Sequence, residues 1–397
     1  MEHRLVTAIE TALSWNSSEP IGTGFALGRI EDDSLLSRIL TPNKLLDIAM
    51  RRSLNRPQFR AFQKGEEVHP AVYFTDTVSP RGQSVPMTNM HRLGDLLRDG
   101  ATLIMDQVNV FDPTMEATCR ALQWWAHERV QVNAYLTTND SSGFPLHWDD
   151  HDVIIVQLSG EKDWEVRDTS RTAPMYRDAD PNNTPSDIVI FNGTLRAGDV
   201  MHIPRGHWHQ ATRTGSGTGH SLHATFGITK RTGASWMAWL ADWCREQEIF
   251  RHDLDRAGSG SGALVEAATR LVGRRGPEDF LTAYEQRTTP GRHVPFLGIF
   301  GPLDTVVCTA HFPPGITERG NAVQVTAAGK RLTFAAKALP ALRLLLSGRP
   351  VPLAQAAATA GDEIHEVAEI LIKEELCAPL TDELSSGYTG LVTDAIF

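Results

Sequence analysis

The sequence predicts an α+β protein: a small β-barrel with a polar interior, then a helical region, then a second mixed module. Three observations lead to that class. Stretches 129–137, 161–167 and 220–229 alternate apolar and polar residues, the period of strands with one face on an apolar layer. Short turn signals at 139–143, Gly160 and Gly198-Asp199 punctuate them at the spacing of an antiparallel barrel. Beyond residue 232 the period changes, and Trp236, Trp239, Leu240 and Trp243 recur at helical spacing.

At 397 residues the chain is long for one domain, so two or three are expected, each with its own core. The formal net charge of -10 disfavours general affinity for nucleic acid, which needs a concentrated basic surface. Cys119, Cys244, Cys308 and Cys377 stand far apart, without the paired spacing of a zinc site or a disulfide framework, and read as reduced thiols. The opening Met1-Glu2-His3-Arg4 lacks the apolar core of a signal peptide, and no apolar run approaches the ~20 residues of a membrane span. A cytoplasmic protein is the expectation.

Taken in order, 35–50 reads as helix broken at Pro42, and Arg51, Arg52, Arg56, Arg60 and Lys64 form the most basic stretch, a solvated face or a binding rim. Residues 101–108 are apolar enough for a strand, and 113–128 reads as a covering helix with Trp124 and Trp125 in its core. In 129–137, Val130, Val132, Ala134 and Leu136 share one face, while Gln131, Asn133, Tyr135 and Thr137 share the other, which borders a cavity or solvent. A loop at 139–143, closed by Pro145, leads to His147-Trp148-Asp149. Residues 152–159 form a strand with a near-continuous apolar centre, Gly160 is expected to turn the chain, and 161–167 to return as a second strand.

That second strand places Lys162 on a face with Trp164 and Val166. A buried ammonium costs several kcal/mol unless an anion pairs with it, so Lys162 either meets a carboxylate ligand or snorkels out. His147 and Asp149, two apart on extended chain, point to one side, and Arg205-Gly-His-Trp-His209 brings His207 or His209 as a second imidazole. Two imidazoles and one carboxylate on one face of a metal leave the other face open, the arrangement of non-haem Fe(II) oxygenases. In 220–229, Ser221, His223 and Thr225 lie opposite Leu222, Ala224, Phe226 and Ile228, and are expected to line the cavity. His151 and His202 read as packing or supporting groups.

The runs Asn133-Ala-Tyr-Leu-Thr, His147-Trp-Asp-Asp-His-Asp-Val-Ile-Ile-Val-Gln-Leu-Ser-Gly-Glu-Lys-Asp-Trp164, Gly198-Asp-Val-Met-His-Ile-Pro-Arg-Gly-His-Trp-His209 and His220-Ser-Leu-His-Ala-Thr resemble the JmjC-type, cupin-like ribosomal oxygenases. The resemblance implies a double-stranded β-helix (jelly roll) that holds Fe(II) through His147, Asp149 and His209. It implies that Lys162 pairs with the distal carboxylate of 2-oxoglutarate, and that Asn133 and Tyr135 lie near this cosubstrate. The chain departs from the pattern at Trp148, where a Tyr is usual, in the bulk of His207-Trp208, in the Gly/Ser-rich 212–219, and at Gly227.

In the C-terminal half, 235–250 is expected as a Trp-rich helix, either core or, as the resemblance implies, a homodimer interface. Gly258 to Gly262 is a flexible break, and helices follow near 263–272 and 277–287. Strands within 323–334 and helices at 335–347, 352–360 and 362–376 fit a winged-helix module. Its third helix carries Glu363, Glu366, Glu369, Glu374 and Glu375, which argues against DNA binding. The expected domains are therefore a β-helix oxygenase domain at 1–232, a helical region at 233–290 and a winged-helix-like domain at 291–397.

The activity implied is an Fe(II)-, 2-oxoglutarate- and O2-dependent hydroxylation of a polypeptide side chain, histidine or arginine of a ribosomal protein first among them. Alternatives are hydroxylation of a peptide natural-product precursor, N-demethylation by the same chemistry, or a non-catalytic winged-helix regulator with a metal-binding cupin.

Overall fold

The computed structural model describes the chain except residues 79, 177–181, 214–216, 259, 288–290, 296–297 and 394–397. Its contacts form two compact units, one of Met1–Thr229, Gly348–Val351 and Leu380–Phe397, the other of Lys230–Ser347 and Pro352–Pro379.

Among the described residues the first unit is framed by nine main strands: β1 (Ala26–Arg29), β2 (Phe59–Gln63), β3 (Thr102–Met105), β4 (Arg129–Thr138), β5 (Asp152–Thr169), β6 (Val189–Arg196), β7 (Asp199–Ile203), β8 (His207–Arg213) and β9 (His220–Thr229), with four short or peripheral ones beside them. All pair antiparallel. The larger sheet runs β1-β7-β5-β9-β4-β3-β2, and the second is β6-β5-β8, so β5 belongs to both. This is the double-stranded β-helix.

Gly160 does not turn the chain back as expected. The strand continues through it for 18 residues, pairing β7 and β9 before the glycine and β6 and β8 after it. The reason is local: Gly160 has φ of +63°, and a Cβ there would lie 1.8 Å from the His220 carbonyl oxygen. Only glycine permits that approach, and it lets one strand bend from the first sheet into the second.

The near-continuous apolar run of β5 is explained by two cores. Ile154, Val156 and Leu158 face an outer core shared with Leu5, Ile9, Leu35, Leu45 and Leu122 from the covering helices. Val153 and Ile155 face inward, clustered with Trp164, Val166, Leu195, Met201 and Ile203. The helices Asp33–Ile39 and Pro42–Arg51 are separated at Leu40 and Thr41, where Thr41 caps the second helix by accepting from the Lys44 amide. Helix Pro113–Ala126 is capped in the same way by Asp112. The basic stretch is largely neutralised: Arg51 pairs with Asp47, Arg56 with Glu67 and Arg60 with Asp106.

Residues 380–393, expected with the C-terminal module, pack on the first unit instead. Arg120 donates to the Tyr388 hydroxyl at 2.5 Å, and the Arg4 amide to the Leu391 carbonyl at 2.8 Å.

In the second unit, Trp239 and Leu240 of helix Gly233–Cys244 are buried against Leu271 and Phe280, from helices Ser261–Arg274 and Pro277–Glu285. The helix ends six residues short of the expected 250, where polar Arg245, Glu246 and Gln247 offer the core nothing to bury. Strands Gly315–Arg319, Ala322–Ala327 and Lys330–Ala335 form one sheet, and Thr305–Cys308 pairs Cys377–Pro379. Helices Leu339–Leu345, Leu353–Ala360 and Ile364–Lys373 complete the unit. Its acidic residues are partly paired within it, Glu363 with Lys337 and Glu374 with Lys330. Among the described residues no helix is long and apolar enough to cross a membrane.

Candidate metal centre and its cavity

The start of β8 carries His209, and the segment before β5 carries His147. Their backbones bridge, the His209 amide donating to the His147 carbonyl at 2.7 Å and the His147 amide to the His209 carbonyl at 3.1 Å. That bridge fixes both side chains on one side, with ring centroids 4.4 Å apart. Asp149 follows two residues later, its own carbonyl taking the Gly206 amide at 3.1 Å. Ligand atoms of His147, Asp149 and His209 all lie within 4.8 Å of one another, and the three form the one such group among the described residues.

Each imidazole is oriented through its other nitrogen. His147 Nδ1 is 2.8 Å from the Pro145 carbonyl and His209 Nδ1 is 3.1 Å from the His207 carbonyl, so both Nδ1 atoms donate and both Nε2 lone pairs face the site. Burial and the facing His209 push His147 down to about 4. Burial opposes ionisation of Asp149, yet the His209 bond and the imidazoles of His151 and His147 outweigh it and hold the carboxyl well below the ordinary range. At His209 burial works against the charged ring, and the Asp149 carboxylate 3.5 Å from Nε2 lifts it above its usual value. A divalent cation at these atoms would take the place that a proton on Nε2 would occupy. Two neutral donors and one carboxylate fit such a cation.

The triad lies in a cavity of about 420 Å³ between the two sheets. Its lining includes Asn133, Tyr135, Lys162, His223 and Thr225, as the alternation in β4, β5 and β9 indicated. Lys162 is buried to 3% exposure and donates to the Thr137 hydroxyl at 3.1 Å, with Thr102 Oγ1 a further 3.0 Å on. Burial alone pulls its ammonium down to about 7. Around it, the buried His223 Nδ1 and Trp164 Nε1 have no hydrogen-bond partner among the described residues. An ammonium and two unpartnered ring nitrogens in one buried pocket fit an oxygen-rich anion such as a carboxylate.

Ser221 departs from expectation. It is fully buried outside the cavity lining, and its hydroxyl accepts from the Gln157 amide at 2.8 Å. Ser221 keeps the face of His223, since β9 pairs β4 in unbroken register, but it stands one pair further along, opposite Thr137, which is likewise outside the lining. His207 also stands apart, its Nε2 3.6 Å from Asp168. His202 bonds the Gly24 carbonyl at 2.8 Å, and the His151 ring occupies the space over Gly227, within 2.8 Å of where a Cβ would be.

Sequence reasoning passed over Asp106, Phe144, and Trp164 as a wall of the site, and gave Arg60, here paired with Asp106 at 2.8 Å, only within a solvated face or binding rim. Arg60 and Asp106 come from β2 and the end of β3, far in sequence from the motifs, and only tertiary pairing brings them there. Tyr176, whose hydroxyl reaches Asp149, carried no signal either.

A double-stranded β-helix with this triad in its cavity defines a cupin-like metal-site protein. Residues 107–235 match the JmjC domain. It is similar to the bifunctional lysine-specific demethylase and histidyl-hydroxylase NO66 of Drosophila willistoni (30% identity over 156 residues, 38% of this chain and 20% of that protein). It is similar to the protein of the same name from Dictyostelium discoideum (32% over 154 residues, 38% and 28%). The match thus spans well under a third of the length of these relatives. In fold it is similar to Escherichia coli YcfD, a ribosomal oxygenase (TM-score 0.56, 16% identity, 95% of this chain and 100% of that chain). A YcfD complex with cobalt and 2-oxoglutarate aligns with TM-score 0.50 and 16% identity over 86% of this chain and 90% of that chain.

Proposed function

We propose that this chain is an Fe(II)- and 2-oxoglutarate-dependent oxygenase that hydroxylates an amino-acid side chain of a polypeptide. One observation carries the reading: an open-faced His147, Asp149, His209 donor set shares a cavity with the buried, carboxylate-seeking Lys162. The binding of cobalt and 2-oxoglutarate by YcfD supports it. When bound, the metal with 2-oxoglutarate and O2 supplies the oxidation of an unactivated C–H bond.

The protein's part is to hold and exclude. The Pro145 and His207 carbonyls aim the two imidazoles, and Asp149 contributes the anionic ligand. Lys162, steadied by Thr137, holds the distal carboxylate of 2-oxoglutarate, with Asn133, Tyr135, His223 and Thr225 completing the pocket. The Tyr135 and His223 rings stack at 4.7 Å and 9°, and Trp164 meets the His223 ring edge-on at 5.3 Å, which keeps water from this end.

We take the substrate to be a ribosomal protein, modified on a histidine or arginine, in the cytoplasm. N-demethylation is a second reading, favoured by the demethylase half of the NO66 name. The winged-helix reading of the C-terminal module stays structural or protein-binding. Met237, Val265 and Leu281, exposed on the helices 233–285, support a homodimer.

The test is a mass comparison of ribosomal proteins from cells carrying the intact gene or Asp149→Ala. A gain of one oxygen on one protein, present only with the intact gene, is the expected result. Loss of a methyl group with release of formaldehyde would give the second reading instead, and identical masses would remove ribosomal proteins as substrates.

A further inference from the structure

We propose that Tyr176 is a positioning residue of the metal centre, its hydroxyl engaging one Asp149 oxygen so that the carboxylate ligates through the other alone. The inference rests on the metal reading of His147, Asp149 and His209.

The two oxygens of Asp149 keep different company. Oδ2 lies 3.5 Å from His209 Nε2, on the side where the ligand atoms converge. Oδ1 accepts from the Tyr176 hydroxyl at 3.4 Å, and the same hydroxyl reaches the Trp148 carbonyl at 3.1 Å. One proton is thus shared between a ligand side chain and the backbone next to it. The rest of Tyr176 is anchored to the same short segment. Its amide donates to Asp150 Oδ2 at 3.3 Å, and its ring packs on the Trp148 indole at 4.8 Å. Yet 62% of the residue is exposed, so burial of the ring is not what these contacts serve.

The chemical consequence follows from coordination. A carboxylate binding through both oxygens occupies two positions on the metal, and here three protein ligands must leave positions for a chelating keto acid and O2. A donor on Oδ1 opposes the two-oxygen mode. The indole of Trp148, beside the ligand, has no hydroxyl to do this, and the loop after β5 brings one from 27 residues away. Hydrogen-bond partners of ligating groups are worth about 10–100-fold in metal affinity.

Tyr176→Phe keeps the ring and removes the hydroxyl, and Tyr176→Leu removes both. In metal-free protein both should unfold at the wild-type temperature. Co(II) titrated calorimetrically should bind each about 10-fold or more weakly than wild type. The visible charge-transfer band of the anaerobic Fe(II)–2-oxoglutarate complex should shift in both. Tyr176→Phe with wild-type Co(II) affinity and band would overturn the proposal, as would a loss confined to Tyr176→Leu or a drop in metal-free stability matching the loss of affinity. If wild-type protein itself bound no Co(II), the metal reading would fail first, which is a separate outcome.

Discussion

At the metal end of the cavity the imidazoles hang from backbone carbonyls and a two-bond bridge between strands, with Asp149 still a quarter exposed. At the other end Lys162, Thr137, Thr102 and His223 are almost wholly buried and are held by side chains alone. At the first end the charges of His209 and Asp149 already face one another at 3.5 Å. The second is not answered from within: it buries an ammonium against hydroxyls and unpartnered ring nitrogens. One end is pre-assembled and the other is left wanting an anion, so the two should fail independently when altered.

The largest effect is expected from Asp149→Ala. It removes the anionic ligand, and Co(II) affinity should fall by more than about 100-fold, beyond what loss of a mere supporting partner costs. Binding of 2-oxoglutarate through Lys162 alone should persist in weakened form. Calorimetric Co(II) affinity equal to wild type would place the metal elsewhere. Next comes Lys162→Ala. Truncating one partner of a buried, hydrogen-bonded charge pair costs about 2–5 kcal/mol, so the KM for 2-oxoglutarate should rise at least about 30-fold. Co(II) affinity should move by less than about threefold. If each variant disturbed both constants equally, the two ends would be one cooperative unit and the comparison would dissolve.

The two ends were also legible to different degrees in the sequence. His147 and Asp149 announced themselves by spacing, because residues two apart in extended chain share a side whatever the rest of the fold does, while His207 and His209 stayed rivals until the resemblance chose between them. Lys162 was visible as a charge on an apolar face, a local contradiction that only burial chemistry resolves. Parity gave Ser221 the face of His223 but could not tell how far along β9 the cavity extends. Gly160 carried a correct signal with the wrong meaning. Positive φ marks both a turn and a corner, and which one forms depends on strands 40 and 60 residues away. Asp106 reaches the cavity, and Tyr176 reaches Asp149, only through contacts distant in sequence, so no local pattern pointed to them, and Arg60 showed only as part of a basic stretch.

The smallest effect sharpens the comparison most, because one titration should act with opposite sign on folding and on binding. Burial brings the Lys162 ammonium down to about 7, while in the unfolded chain it keeps an ordinary lysine value near 10.5. Between those values the folded protein binds fewer protons than the unfolded one, so the stability of protein without metal or 2-oxoglutarate should rise with pH, by up to about 1.4 kcal/mol per unit. Below about 7 both states carry the proton and the full desolvation cost is present; above about 10.5 neither does and the cost is gone. Binding of 2-oxoglutarate needs the charged form, so its affinity should be constant below about 7 and fall by up to about tenfold per unit above it. Lys162→Met, similar in shape and uncharged, should flatten the stability rise and raise stability at pH 7. Chemical denaturation and calorimetric 2-oxoglutarate titration from pH 6 to 9, on wild type and Lys162→Met, measure both trends. A wild-type stability curve parallel to that of Lys162→Met, with 2-oxoglutarate affinity independent of pH, would mean that this ammonium keeps its charge throughout and already has its anion within the protein.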